Sequence, residues 1–289
     1  NTISNITVNN STEDNVGIIG VSNNTTIKDL NINNTTVNGN NTTGIIIGNK
    51  SGEGKVENVT IVDSTVNGTN NTGVIGNIGD GIINNTTIDA TINGTNNTGA
   101  VATNSGTINN TIVKGTINGS ENTGGIVGKN TGNITNSYSE ANINGFGQSI
   151  GGLIGINIAD NEESSVINSY YDGNIQSNSD RVGGLIGTNK ALNEGKANIT
   201  DSYVMGNIES NSNYTGGLIG LNNLTDSQSN ISNSKVPEIM LFCKSNFVEN
   251  FVIFLTYSIN FSMSFFSEFK LLTFKTIFIS DAILELPSI

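Results

Sequence analysis

A five-residue patch, Gly-Gly-Leu-Ile-Gly, occurs three times in this chain, at 151–155, 183–187 and 216–220. It loosens upstream to Gly-Gly-Ile-Val-Gly at 124–128 and Gly-Ile-Ile-Ile-Gly at 44–48. Taking the closing residue of each patch as an anchor gives Gly20, Gly48, Gly76, Ala102, Gly128, Gly155, Gly187 and Gly220. The anchors are separated by 28, 28, 26, 26, 27, 32 and 33 residues. Self-similarity at such a period constrains the fold more than any other signal, because each unit buries its apolar face only against its neighbours.

A second block follows each anchor, clearest in the segment 134–145, Ile-Thr-Asn-Ser-Tyr-Ser-Glu-Ala-Asn-Ile-Asn-Gly. Its third position is always Asn or Asp: Asp29, Asn58, Asn85, Asn110, Asn136, Asn168, Asp201 and Asn233. Nine or ten residues after the block's first aliphatic residue comes another: Val37, Val66, Ile92, Ile117, Ile143, Ile175 and Ile208. The aliphatic runs are short, β-branched and punctuated by Gly, Asn, Thr and Ser, which reads as strands and turns. No 3.6-residue apolar stripe is sustained, so helix is not expected.

The expected fold is all-β: a right-handed parallel β-helix of about eight coils of 26–33 residues, occupying 1–234. Stacked coils repeat every ~4.8 Å, so eight form a rod on the order of 40 Å long. The column Ile18, Ile46, Val74, Ala100, Ile126, Leu153, Leu185 and Leu218 should point inward. The Asn/Asp column should stack as an inward ladder of side-chain amides at a corner that asks for left-handed backbone. The first glycines of each patch are expected to be left-handed as well. Extra residues in the last full coils, 156–165 and 188–197, are expected as loops on one side of the rod.

The chain begins in the second half of a coil, at 3–8, and the expectation is a fragment of a longer array. Composition changes abruptly near Lys235. All 35 Gly lie at or before Gly220, and ten of the 11 Phe lie at or after Phe242. The tail 235–289 is expected to be a shifted reading frame, a cap or an anchor. Its uncharged window 250–267 approaches the ~20 residues of a spanning helix, but carries Asn, Ser and Thr. A membrane partner is expected only if that window anchors.

Charge narrows the partners. The net charge is −12, and Arg181 is the single arginine. Nucleic acid is therefore excluded as a partner, since phosphate binding needs clustered Lys and Arg. With no His in the chain, a Ser-His-Asp triad and Cys-His zinc sites are excluded too. The glycine patch lacks the strand–loop–helix setting and the Gly-Lys-Ser/Thr of a phosphate loop. No cofactor and no metal are expected.

The pattern Gly-Gly-Leu-Ile-Gly-x-Asn, then Ile-x-Asn-Ser-Tyr, then Gly-x-Ile resembles the GLUG-motif repeat, best over 122–234 and in degenerate form over 16–121. The resemblance implies a secreted or surface-attached microbial protein: adhesin-like, or a region beside a catalytic domain such as a protease. The function expected is non-enzymatic, a structural and adhesive repeat region that displays a binding surface to host or neighbouring cells. Its localisation would be extracellular or cell-surface, and its partner a host or microbial surface protein or glycan.

Two outward columns are candidate sites. Tyr138, Tyr170 and Tyr203 form an aromatic strip suited to glycan or protein. Asp89, Lys114, Glu140 and Asp172, followed by Met205, form a charged column. In it, Glu140 and Asp172 would stand about one coil apart, near the ~5–5.5 Å carboxyl separation of retaining glycosidases. That pair carries the alternative, a carbohydrate-active β-helix.

Overall fold

A computed structural model describes residues 1–236. Among these residues every strand pairing is parallel and there is no helix. Three sheets of seventeen, eight and four strands wrap one interior. The eight-stranded sheet has one strand per turn, in chain order: Ile19–Asn23, Thr43–Ser51, Thr72–Ile78, Val101–Asn104, Val127–Asn130, Ile154–Asp160, Ile186–Leu192 and Ile219–Thr225. The chain is a parallel β-solenoid of about eight turns.

The inferred columns set the register. Ile46, Val74, Ala100, Ile126, Leu153 and Leu185 are fully buried, as are Val37, Val66, Ile92, Ile117, Ile143 and Ile175. Ile18 and Leu218, in the outermost turns, are only half-buried. Each core residue is covered by its equivalents in the turns before and after it, which is the nearest-neighbour logic of a solenoid.

The Asn/Asp column does sit at a left-handed corner. All eight residues have positive φ, between 48° and 54°. Asn and Asp tolerate this conformation because their short polar side chains bond locally. The column nevertheless faces solvent, not the interior. The inward expectation is corrected for a geometric reason: the chain turns its corner at this residue, and the next residue enters the core. That next residue is Thr86, Thr111, Ser137, Ser169 or Ser202, each buried.

These hydroxyls repair the corner. Ser137 Oγ donates to the Thr135 carbonyl at 2.7 Å and accepts the Thr111 backbone N–H at 3.0 Å. Ser169 Oγ donates to the Ile167 carbonyl and accepts the Ser137 N–H, at 2.9 and 3.2 Å. Ser202 does the same for the Ser169 N–H at 3.2 Å. The left-handed residue interrupts the sheet, and a stack of hydroxyls satisfies the amides it would orphan.

Two further expectations are corrected. The patch glycines are not left-handed; among the described glycines only Gly52 and Gly115 have positive φ. Their requirement is close approach. A Cβ on Gly155 would lie 2.3 Å from the Asn122 carbonyl carbon, and one on Gly151 would lie 2.1 Å from the Ile154 oxygen. The inserted segments are not loops. They lengthen strands Ile154–Asp160 and Glu163–Ile167, and in the next turn Ile186–Leu192 and Lys196–Thr200. The extension stays in register, Ala159 over Ala191 and Glu163 over Lys196. It has a small core of its own, Ala159, Ala191 and Ala197. Insertion therefore adds a two-walled fin to the rod.

Lys235 still pairs with Tyr203 as the next rung. The shifted-frame, cap and anchor expectations for the tail, including window 250–267, fall on 237–289, outside the described residues.

Candidate functional site

Two outward columns repeat one chemistry from turn to turn, the Asn/Asp corner and the tyrosine row. The Asn/Asp corner is a partial hydrogen-bonded ladder. Asn58 Nδ2 donates to Asp29 Oδ1 at 3.0 Å, Asn85 to Asn58 at 3.2 Å, and Asn110 to Asn85. Asn136 breaks the line by donating to Asn109 at 2.9 Å, and Asn168 resumes it on Asn136 at 2.7 Å. Asp201 and Asn233 share the corner conformation, without a rung bond between them among the described contacts.

A deeper ladder lies inside the rod. Asn104 Nδ2 donates to Asn130 Oδ1, Asn130 to Asn157, and Asn157 to Asn189, at 2.7, 2.7 and 2.9 Å. All four side chains are buried. Asn130 Nδ2 also reaches the Gly132 carbonyl at 2.9 Å and Ser164 Oγ at 3.1 Å. Below Asn104 the same column is filled by Ile78, then Lys50, then Ser22. Lys50 is fully buried and its Nζ donates to the Gly52 carbonyl at 3.2 Å. Burial lowers the Lys50 ammonium from its ordinary value.

The three tyrosines are brought together, ring on ring. Tyr138 and Tyr170 stack with centroids 4.5 Å apart and planes 7° apart; Tyr170 and Tyr203 stack at 4.8 Å and 4°. The coil repeat sets this spacing, which matches offset stacking. Desolvation pushes the Tyr170 phenol up to about 12. The two contacts cover both faces of Tyr170 and one face each of Tyr138 and Tyr203, so the strip offers mainly edges and hydroxyls to solvent. The adjacent Tyr171 points the other way. It fills the core over Gly152, and its hydroxyl donates to the Ala141 carbonyl at 3.0 Å.

Glu140 and Asp172 stand on successive rungs, since Ser139 pairs with Tyr171 just before them. Glu140 Oε2 is turned the other way, onto Lys114 Nζ at 3.0 Å. That hydrogen bond, with the charge behind it, raises the Lys114 ammonium above its ordinary value. Both partners are well exposed, and Met205 continues the column at the surface. Among the described residues no group of three or more His, Cys, Asp or Glu is arranged to hold a metal.

The family model described as Glug, the GLUG motif, matches residues 119–144. The chain carries a GLUG motif. The matched segment runs from the corner at Gly119, through the glycine patch and Asn130, past the Asn136 corner and Tyr138 to Asn144. Strand register carries the GLUG pattern into the following turns: Ile134 pairs with Val166, Tyr138 with Tyr170, and Ile143 with Ile175. No curated protein and no solved structure matches the chain.

Sequence reasoning missed the inner asparagines, although a signal was present. Asn130, Asn157 and Asn189 each stand two residues after an anchor glycine, as Asn104 stands two after Ala102. It also missed the Ser/Thr that follows each corner Asn from Asn85 onward.

Proposed function

We propose that this chain is a structural and adhesive repeat region of a secreted or cell-surface microbial protein, presenting its outer faces to host or neighbouring cells. One observation carries the reading: a GLUG motif set in an unbroken stack of coils whose inward positions are mostly taken up by packing and ladder bonds among the described residues. A rod built this way holds outward side chains at a fixed ~4.8 Å pitch, which suits display and multivalent contact. We take its coils as right-handed, the sense in which crossovers between parallel strands nearly always run. The partner class is a surface protein or glycan, and the region has no catalytic role of its own.

The charged column supports the non-enzymatic reading. A retaining glycosidase needs both carboxyl groups aimed at one bond. Glu140 instead pairs with Lys114.

The test is binding of the purified full chain to epithelial and microbial cell surfaces and to immobilised glycans, beside cleavage assays on neutral and acidic polysaccharides. Saturable binding without cleavage is expected. Cleavage abolished by Glu140→Ala and Asp172→Ala would establish the enzyme reading, and absence of binding to every surface would remove the adhesive one.

A further inference from the structure

One corner of the rod departs from the amide, hydroxyl and aliphatic monotony of the rest. Strand Ser149–Gly151 pairs with Arg181–Gly183, and that with Tyr214–Gly216, so Ser149, Arg181 and Tyr214 are successive rungs of one column. Phe146 protrudes from the turn three residues before Ser149 and is 67% exposed, the most exposed large apolar side chain among the described residues. Tyr214 is 53% exposed. Between these turns stands Arg181, the single arginine of a chain whose net charge is −12.

Arg181 makes no ion pair among the described residues. The one ion pair among the described residues is Lys114 with Glu140, and Arg181 Nε is shielded from solvent without a hydrogen-bond partner. A shielded N–H without an acceptor is costly, and a carboxylate is the geometric complement of the planar guanidinium fork. The row beside it is polar: Asn211 Nδ2 donates to Asn178 Oδ1 at 3.0 Å, and both side chains are exposed. These amides sit in the turns above Phe146, because Gly145, Ser177 and Ser210 are paired rungs just before them.

We propose that this corner binds a carboxylate-bearing sugar, with Arg181 gripping the carboxylate and the ring faces of Phe146 and Tyr214 receiving the sugar's C–H faces. The inference rests on the adhesive reading and names its ligand class. The stacked tyrosines at 138, 170 and 203 are poorer platforms, because four of their six ring faces are taken up by one another. An isolated, exposed aromatic keeps its face free.

Two features narrow the ligand further. A long polyanion would be repelled by the acidic rod, so a sugar with one accessible carboxylate fits better. A peptide adding as an extra strand needs a free sheet edge. The strand that carries Arg181 has a neighbour on both sides, Ser149–Gly151 and Tyr214–Gly216, and so offers no free edge at the proposed grip. Asp180, exposed and adjacent to Arg181, works against an anion; its removal is therefore diagnostic.

The probes are matched glycans, one bearing a uronic or sialic carboxylate and the other with that carboxylate reduced to the alcohol, presented to the immobilised full chain. The wild type should favour the carboxylated glycan. Arg181→Gln should weaken that binding about ten- to hundredfold, the scale of a charge-assisted bidentate contact. Phe146→Ser should weaken it severalfold, and Asp180→Asn should strengthen it. Phe146 is exposed enough for its substitution to leave folding intact, which keeps the test valid if Arg181→Gln lowers the melting temperature. Cell or glycan binding indifferent to the carboxylate and to both Arg181 and Phe146 would overturn this inference and leave the adhesive reading standing. Preference for acidic peptides over the glycans would overturn it in favour of a protein partner. Binding to no cell, glycan or peptide would remove both.

Discussion

Replacing Asn130 with Ala removes the most connected rung of the buried ladder. Its Oδ1 accepts from Asn104 at 2.7 Å, and its Nδ2 donates to Asn157, Gly132 and Ser164 at 2.7, 2.9 and 3.1 Å. Nδ2 shares two hydrogens among three acceptors, so with the Oδ1 contact there are three full bonds, which at about 0.5–1.5 kcal/mol net each contribute roughly 1.5–4.5 kcal/mol. The upper part is not reached, because each partner keeps a second bond. Asn104 Nδ2 still faces the Gly106 carbonyl at 3.3 Å; the single Ser164 hydroxyl hydrogen is still shared between Asn157 Oδ1 and the Gly132 carbonyl, at 2.6 and 3.0 Å. The cavity adds a smaller cost, so about 3 kcal/mol is expected. For an array of this size that corresponds to a fall of roughly 6–12 °C in melting temperature. The assay is thermal unfolding followed by circular dichroism in the β-sheet region, with limited proteolysis to detect opening confined to neighbouring turns. Asn130→Asp, which keeps the shape but buries a carboxylate, should cost more. Asn104→Ile, at the end of the ladder and next to native Ile78, should cost less. An Asn130→Ala change within about 0.5 kcal/mol of wild type, the scale of an ordinary surface substitution, would refute the reasoning.

Other consequences are as specific. At the outer corner, Asn168→Leu should cost about 1–2 kcal/mol for its left-handed backbone, whereas Asn168→Gly should be near neutral; equal losses in melting temperature would mean the rung bond, not the backbone, matters. Ser169→Ala leaves the buried Ser137 N–H without an acceptor and should cost about 1–3 kcal/mol by denaturant unfolding, against near zero if the hydroxyl row were incidental. The alkaline limb of stability carries two opposed signs. Lys50 is lowered on folding, so between its folded value and 10.5 the unfolded chain holds the extra proton and stability rises with pH. Tyr170 is raised from 10.0 to about 12, so across that window the unfolded chain loses its proton first and stability falls. Lys50→Met should raise the melting temperature at neutral pH, and Tyr170→Phe should flatten the fall above pH 10; melting curves against pH check both.

Much of the fold was legible because a solenoid writes its register into the chain once per turn. The anchors Gly48 to Gly220 and the columns ending at Leu185 and Ile208 needed only their spacing to be placed inside. Direction at the corner was not legible. Asn136 and Ser137 are both polar, and spacing alone does not tell which enters the core; the left-handed backbone at Asn136 decides it. The insertions at 156–165 and 188–197 misled because Asn, Asp and Glu suggest loops, while Ala159, Ala191 and Ala197 were too small and scattered to announce a second apolar layer. The tyrosine column was readable as a column, yet its ring-on-ring contact follows from a pitch near stacking distance, which covers four of the six faces a sugar would use. The corner of Phe146, Arg181 and Tyr214 was hidden because its members come from three turns and share no motif.

The central claim is that each 26–33-residue unit is one turn of a parallel stack, and distance across turns tests it most directly. The register runs Lys28, Glu57, Asn84, Asn109, Thr135, Ile167, Thr200 up one outer column. With Cys243 replaced by Ser, spin labels at Lys28 and Ile167 should lie about 24 Å apart, and at Lys28 and Thr200 about 29 Å, one added turn lengthening the distance by a single strand spacing of ~4.8 Å. Narrow distributions at those two values by double electron–electron resonance are the predicted result. Broad distributions, or an increment far from one strand spacing, would contradict the solenoid.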